Sequence, residues 1–559
     1  MYRVKSITEH GTDGTQGNSL TITYGNNLTK FIDEQGYSNT YTFDNYGHCI
    51  TIADFGKESE NIDNAYGQTY EYGTSGGKNN KLTLESKMIS VKELSNNLVT
   101  NSKFDDGLTG WTKHANCTDS DTVVSLDGNN VFKITGNPSN NKYLKQTINT
   151  SGEAGDIYTI YAWVKSLGVP SVPGNVKSSR VTIGVTQTDG EVQWSSKIAV
   201  SGTDGWQFIS NQFITKKAYT QIDIYLIFYG NANEIYFDNI GLFKEEFGTS
   251  YQYDDKGNVI STQNLAKENS TFNYDSNNNL IQSINPKGGK FTYEYDQNIK
   301  NRLLSATNSS NVKYSFGYDN YGNTTTAKIN NTSNANKYIE SKSTYSSNGN
   351  YTVKTENQVG KETTYTYNES KGTVNSVTDP NGNTTNYTYD NLDRLTNTSV
   401  TNGSNVHQNS YTYENDNLKT VNHNGFNYSF EYDTFGNQKQ VKVGNQALIT
   451  NTYKNNNGNI RKSSYGNGQD VEYGYDRFNR ISAQVGENGS YFYTYDGRGN
   501  LNGVENTYTT TNKTLKYDLA DRLVEQRKND VNFIQSYKYD KNNNISQIES
   551  RLVKNMSFS

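Results

Sequence analysis

Paired carboxylates are the most frequent candidates for acid–base work in this chain: Asp390 and Asp393 stand three apart, and acids in the same setting recur through the second half. Glycoside hydrolysis uses two carboxyls held at one set separation. A dozen equivalent acids point instead to a repeated structural role, because an Asp that ends a strand bonds its own backbone and shapes a turn. The five histidines, His10, His48, His114, His407 and His423, offer no pair at metal-site spacing and no nucleophile motif. Cys49 and Cys117 are too few for a disulfide framework and read as incidental small residues. The glycines of GNGQDVEYG lack the Lys and the helix that a phosphate-binding loop needs. No catalytic residue is expected.

The elements that carry these acids are repeats. The segment YTYDNLDRL, Tyr387–Leu395, reads as strand, tight turn, strand. Tyr387 and Tyr389 are two apart and leave one face of an extended chain, while Asp390 closes the strand and Asn391 to Asp393 tolerate the turn. Near copies end their aromatic pairs at Tyr253, Tyr274, Tyr295, Tyr318, Tyr413 and Tyr432, then at Tyr475, Tyr495, Tyr517 and Tyr539, the last in steps of 20, 22 and 22. A period this regular marks a repeat architecture. It weakens between Tyr318 and Tyr367, where Tyr345 divides the gap into two poor copies, and residues 1–94 hold degenerate copies such as YTFDNYGHCITI and YEYGTSGGKNNKL.

This pattern resembles the YD repeats, also called RHS repeats, whose signature is an aromatic-x-Tyr-Asp turn followed by Gly-Arg-Leu or Gly-Asn-Leu. Tyr495, Asp496, Gly499, Asn500 and Leu501 carry one form, while Arg394 with Leu395 and Arg522 with Leu523 carry the other. The resemblance covers residues 248–559. It implies an all-β fold in which hairpins spiral into a shell, as in cell-surface teneurins and in bacterial polymorphic toxins that enclose a C-terminal effector.

Composition agrees with thin sheet. The hydrophobic share is 32% with 45 Tyr counted in, and exchanging Tyr for the 48 Gly scarcely changes it. Ordinary domains counted that way reach roughly 45–50%. Disorder would pair such a deficit with high net charge and few aromatics, whereas this chain has a net charge of -5 and is 13% aromatic. Tyrosine, a ring with a polar tip, suits a half-wet sheet. A pI near 5.7 leaves no footprint for nucleic acid. No run approaches the ~20 apolar residues of a membrane span. The first residues, MYRVKSITEH, lack the apolar core of a signal peptide, and the chain reads as a fragment of a longer polypeptide.

Residues 95–247 have another texture. The period disappears, aliphatic strands such as AYTQIDIYLIFY take over, and all four tryptophans, Trp111, Trp163, Trp194 and Trp206, lie here. Strands at short spacing predict an antiparallel sandwich. The opening NLVTNSKFDDGLTGWT, with Asn97, Leu98, Asn101, Phe104, Asp105, Gly107, Leu108, Gly110 and Trp111, resembles the start of jelly-roll carbohydrate-binding modules, and IYFDNIGLFKE resembles their final strand. That resemblance implies a structural calcium at Asp105 and Asp238, the alternative being that both acids are ordinary turn or surface residues. Oxygens from two strand ends would suit calcium.

A sugar face stacks on an aromatic ring while polar neighbours take its hydroxyls. Trp111 and Trp206 fall in framework motifs and read as core. Trp194, in the polar strand EVQWSSK, is the better exposed candidate, with Trp163 and Tyr161 as further ligand-binding candidates on one strand; the alternative for each is a core role. A jelly roll between two stretches of repeats suggests a module projecting from a scaffold. The expected function is a non-enzymatic, secreted or cell-surface scaffold that binds carbohydrate, a cell-wall glycan for instance. The alternative is a shell fragment of an RHS-type toxin whose enclosed effector lies outside this chain.

Overall fold

The computed structural model describes residues 3–25, 27–57, 62–90, 96–168, 179–199, 205–245, 248–331, 333–402, 405–454, 458–528 and 533–552. Among these the protein is antiparallel β, with two single-turn 3-10 segments, Ile62–Asn64 and Gly76–Lys78, and no α-helix.

The turn at Asp390 explains the repeat. The Asp390 amide donates to the Arg394 carbonyl at 3.0 Å, and the Asp393 amide donates back to the Asp390 carbonyl at 3.1 Å. Oδ1 of Asp390 accepts the amides of Leu392 and Arg394 at 2.9 and 3.0 Å, and Oδ2 accepts Nε of Arg394 at 2.8 Å. Asp393 sits at φ 58°, in the left-handed region that favours Gly, Asn and Asp. The same bonds recur at Asp496, with Gly499 at φ 84° and the Asn500 side chain donating to Oδ2 at 3.2 Å. The fourth turn residue must therefore accept positive φ, and the fifth must carry a side-chain donor. Gly-Asn and Asp-Arg are two solutions to one geometry.

The second recurring residue, the tyrosine, fastens a repeat to the one before. Tyr389 Oη donates to the Val374 carbonyl at 3.0 Å, Tyr495 to Ile481 at 2.8 Å and Tyr539 to Leu523 at 2.8 Å. Tyr345 makes the same bond to Thr324 at 3.1 Å, so the weak stretch of the period is filled by a hairpin. Arginines at the fifth turn position lie over the next repeat's tyrosine, as Arg394 does over Tyr413 at 4.8 Å.

The ribbon of hairpins winds back on itself. Lys287 Nζ pairs with Asp540 at 3.0 Å, 253 residues on. At the other end, the amides of Thr12, Lys57 and Ser90 donate to the carbonyls of Thr434, Arg477 and Gly497 at 2.8, 2.9 and 2.7 Å. Hairpins of residues 1–94 thus stack on the turns of much later repeats.

The jelly roll interrupts a single hairpin. Strand Leu82–Ser86 pairs directly with strand Gly248–Tyr253, Ser86 opposite Gly248 and Leu84 opposite Ser250. Between them stand two five-stranded sheets. One runs Thr122–Leu126, Asn129–Thr135, Glu234–Phe243, Ile157–Leu167, Trp206–Ile214; the other runs Val192–Ile198, Ser179–Gln187, Tyr219–Tyr229, Asn141–Ile148, Thr112–Lys113. Alternation builds the core between them: Tyr158, Ile160, Ala162 and Val164 of the first sheet meet Ile222, Ile224, Leu226 and Phe228 of the second.

The module does not project as its position in the sequence suggests. The outer face of its first sheet forms a second core with the opening hairpins: Tyr161, Trp163, Trp206, Phe208 and Phe243 pack with Ala53, Phe55, Ile62, Ala65 and Ile89. Thr69 Oγ1 and Ser210 Oγ are 2.6 Å apart across this junction, and Lys197 reaches Glu71 at 3.1 Å. A sandwich with one sheet buried on both faces has only its other sheet to offer a ligand.

Candidate carbohydrate-binding face

Strand Val192–Ile198 lies at the edge of the free sheet, and every second residue of it is exposed. Trp194 keeps 58% of its surface in solvent. It stands opposite Gly184, where an added Cβ would come within 2.8 Å of the indole. Glycine therefore leaves the space in which the ring lies against the sheet. On its other side Gly184 stands opposite Asp223, and Thr182 opposite Tyr225. The rings of Trp194 and Tyr225 are 5.7 Å apart, those of Tyr225 and Tyr143 5.4 Å, and those of Tyr143 and His114 4.4 Å. An aromatic stripe thus crosses the sheet diagonally.

Polar groups flank it. Asp223 Oδ1 accepts Thr147 Oγ1 at 2.7 Å and Gln221 Nε2 at 3.0 Å, while Oδ2 pairs with Lys145 at 3.0 Å. Burial opposes the charge on Lys145, yet the bond from Asp223 outweighs it and holds the ammonium above its usual range. Burial, reinforced by the Asp223 carboxylate, pushes the Tyr225 hydroxyl up, so the phenol stays a neutral donor and acceptor. Flat rings beside fixed hydrogen-bonding groups can stack on a sugar face and take its hydroxyls.

The structure separates the three predicted ligand residues. Trp194 is on this face. Trp163 and Tyr161 are fully buried on the opposite sheet, against Phe55, Phe208 and Phe243, and neither ring can meet a ligand. Their strand reads as half-exposed in isolation, but the opening hairpins cover its outer side. Trp111 and Trp206 are buried. Sequence reasoning missed Tyr225, Asp223 and Tyr143. The signal is the alternation in QIDIYLIFY, which places Gln221, Asp223 and Tyr225 on one face.

Asp238 lies at a break in strand register, beside Asn239 at φ 49°. Its carboxyl is completely buried; Oδ1 accepts the Asn239 amide at 2.7 Å, and Oδ2 has no partner among the described residues. The Asn239 side-chain oxygen is likewise buried without one. Burial drives the Asp238 carboxyl well above the usual carboxylate range; Asp63 and Asp105 nearby add to this, and Lys103 opposes it. Asp105 itself is exposed and accepts Asn130 Nδ2 at 3.2 Å. Unpartnered oxygens suit a hard cation. Among the described residues no three acids, histidines or cysteines converge, so any such ion would draw on amide and carbonyl oxygens besides Asp238.

The acids of the repeats do no comparable work. The Arg394 amide, and then its guanidinium, hold the Asp390 carboxyl below the usual range within its own turn. Among the described residues no helix is long and apolar enough to cross a membrane.

Residues 96–231 match the family model for a carbohydrate binding domain, and residues 372–405 match the model for the RHS repeat. A search of curated proteins gives no match. Among solved structures the chain is similar to the crystal structure of TcdB2-TccC3-Cdc42, at 13% identity and a TM-score of 0.40, over 97% of this chain and 27% of that one. It is similar to the Photorhabdus luminescens Tc holotoxin pore at 10% identity and a TM-score of 0.24, over 96% and 33%. A narrower likeness is to TmCBM61 in complex with β-1,4-galactotriose, at 18% identity and a TM-score of 0.20, over 27% of this chain and 100% of that one. The chain spans between 25% and 36% of the length of the first structures it matches.

Proposed function

We propose that this chain, in which a carbohydrate binding domain is followed by an RHS repeat match, is a non-enzymatic scaffold of the cell surface or the secreted space that holds a glycan on the free sheet of its jelly roll. One observation carries this: the exposed Trp194 ring lies over Gly184 beside Tyr225, with Asp223, Thr147, Gln221 and Lys145 arranged next to it. The docked sheet supports the reading, because fixing one face of the sandwich to the hairpins leaves the other directed outward. Titration of the full chain with plant, bacterial and animal oligosaccharides, repeated with Trp194→Ala, tests it. Saturable binding removed by the substitution is the expected result, and absence of binding to every glycan would sink the idea.

A structural calcium belongs to the same proposal. Asp238 Oδ2 and the Asn239 side-chain oxygen would hold it, with Asp105 close by, and its charge would offset the cost of burying the carboxylate.

The winding of the ribbon favours a second reading, a toxin shell. Lys287 and Asp540, in repeats 253 residues apart, meet where the ribbon winds back on itself, an arrangement that would suit a shell around an effector. A coding sequence that continues into an effector domain followed by a small immunity protein would support it; a gene without either would exclude it.

A further inference from the structure

We infer that the glycan on this face is acidic: an oligosaccharide containing uronic acid, whose carboxylate is bound by Arg180. The inference rests on the carbohydrate reading above and narrows it to one ligand class.

The charges on the free sheet divide into satisfied and unsatisfied. Lys145 is paired with Asp223 at 3.0 Å, and Lys197 is engaged by Glu71 at 3.1 Å. Arg180 meets no carboxylate among the described residues, and its buried Nε has no acceptor. A half-buried guanidinium with an aromatic ring beside it but no anion has lost hydration that a carboxylate would restore. It stands on the same strand and the same face as Gly184, the residue beneath Trp194, and four residues from it. At ~3.3 Å per residue that is about 13 Å along the strand, the reach of a short oligosaccharide lying from the Trp194 ring past Tyr225. Ile198 and Ile227 stand opposite Arg180 on its two sides, so among the described residues no cross-strand acid competes for it, and its guanidinium lies 5.4 Å from the Tyr229 ring centre. A planar fork of N–H donors takes a carboxylate through two parallel bonds, which a sugar hydroxyl cannot match. Since the whole chain carries a net charge of -5, long-range attraction cannot bring an acidic glycan here, and the preference must come from this local contact.

Calorimetry of the full chain with trigalacturonate and with its methyl ester separates the two claims without any substitution. The acid should bind at least tenfold more tightly than the ester, and added salt should narrow the difference. Arg180→Gln, shown to be folded by its melting temperature, should bring the acid down to the level of the ester, and Arg180→Lys should restore only part of the loss. Equal binding of acid and ester, or tighter binding of the ester, overturns the inference while leaving the glycan reading in place. So does binding confined to neutral oligosaccharides, or a sulfated oligosaccharide that binds more tightly than the carboxylate. Absence of binding to any sugar overturns both.

Discussion

The hydroxyl of Tyr253 donates to the carbonyl oxygen of Leu82 at 2.7 Å, although the two residues stand 171 positions apart. Tyr274, Tyr295, Tyr389 and Tyr413 make this bond to the repeat just before them in the chain; here the predecessor lies on the far side of the jelly roll. The bond and the pairing of Leu82–Ser86 with Gly248–Tyr253 show that the ribbon is continuous through the insertion. Tyr253→Phe removes the hydroxyl and should cost about 1 kcal/mol. Hydrogen exchange at residues 82–86 should accelerate, whereas Tyr389→Phe, with the same loss, should accelerate exchange only near Val374. Equal exchange at residues 82–86 in the wild type and Tyr253→Phe would mean that the bond does not hold the junction.

Trp194 and Trp163 should respond in opposite ways. Trp194→Ala removes a ring that is mostly in solvent, so binding falls by tenfold or more while the melting temperature stays within a degree or two. Trp163→Ala empties a fully buried site at the junction with the opening hairpins and should cost about 3–5 kcal/mol. A Trp163→Ala protein that melts normally and loses sugar binding would reverse the two assignments.

The difference between those tryptophans shows what was legible in the sequence. Repeat register and the all-β class follow from local rules: a two-residue alternation, an Asp that bonds its own turn, a glycine at positive φ. Trp163 and Tyr161 fail because a strand's second face is buried only by what packs on it, and Ala53, Phe55, Ile62 and Ala65, which do so, are about 100 positions away in the chain. Tyr225 and Tyr143 were missed for a related reason. A stripe that runs across strands joins residues from 114 to 225 and has no period along the chain. Arg180 carries no local signal at all; what marks it is the absence of a carboxylate partner among the described residues, which only three dimensions reveal.

Asp238 provides a test of calcium. A carboxyl whose folded pKa is raised disfavours the folded state at pH values above its unfolded pKa and relieves that cost as pH falls from the folded value toward the unfolded one. Without metal, Asp238→Asn should therefore leave stability unchanged or raised at neutral pH, and mild acid should stabilise the wild type relative to the variant. If calcium is held there, millimolar calcium should raise the wild-type melting temperature and leave that of Asp238→Asn where it was. An identical calcium response in both proteins would place any ion elsewhere.

Asp121 has the opposite sign. Burial opposes its charge, but Lys142 Nζ at 2.8 Å and the amides of Thr118 and Thr135 prevail and hold the carboxyl below its usual range. Its contribution is present above the unfolded pKa, near 3.9, and is lost as pH falls through the lower folded value. Both side chains are almost completely buried, so Lys142→Met leaves an unpaired acid and should cost about 3–5 kcal/mol. The loss should be largest at neutral pH and shrink as pH falls, because burial without Lys142 raises the stranded carboxyl, which then protonates at a higher pH than the paired one does. A penalty that does not change with pH would assign it to packing.

Gly67 decides whether the module can leave the scaffold. It lies in the strand Tyr66–Tyr72, and a Cβ there would fall 2.2 Å from Cγ of Phe208, inside the junction. Its backbone needs no positive φ, so alanine strains nothing locally and acts only through Phe208, a fully buried ring held by Tyr161 and Trp163. Such a ring has nowhere to move. Gly67→Ala should therefore part the second core while sparing the first, which lies between the two sheets. Unfolding should separate into two transitions, with Ala53, Phe55, Ile62 and Ala65 losing exchange protection before Ile222 to Phe228. Since Trp194 is on the opposite sheet, sugar affinity should persist. Affinity lost together with docking would mean that the hairpins shape the binding face through the sandwich, and that module and scaffold act as one unit.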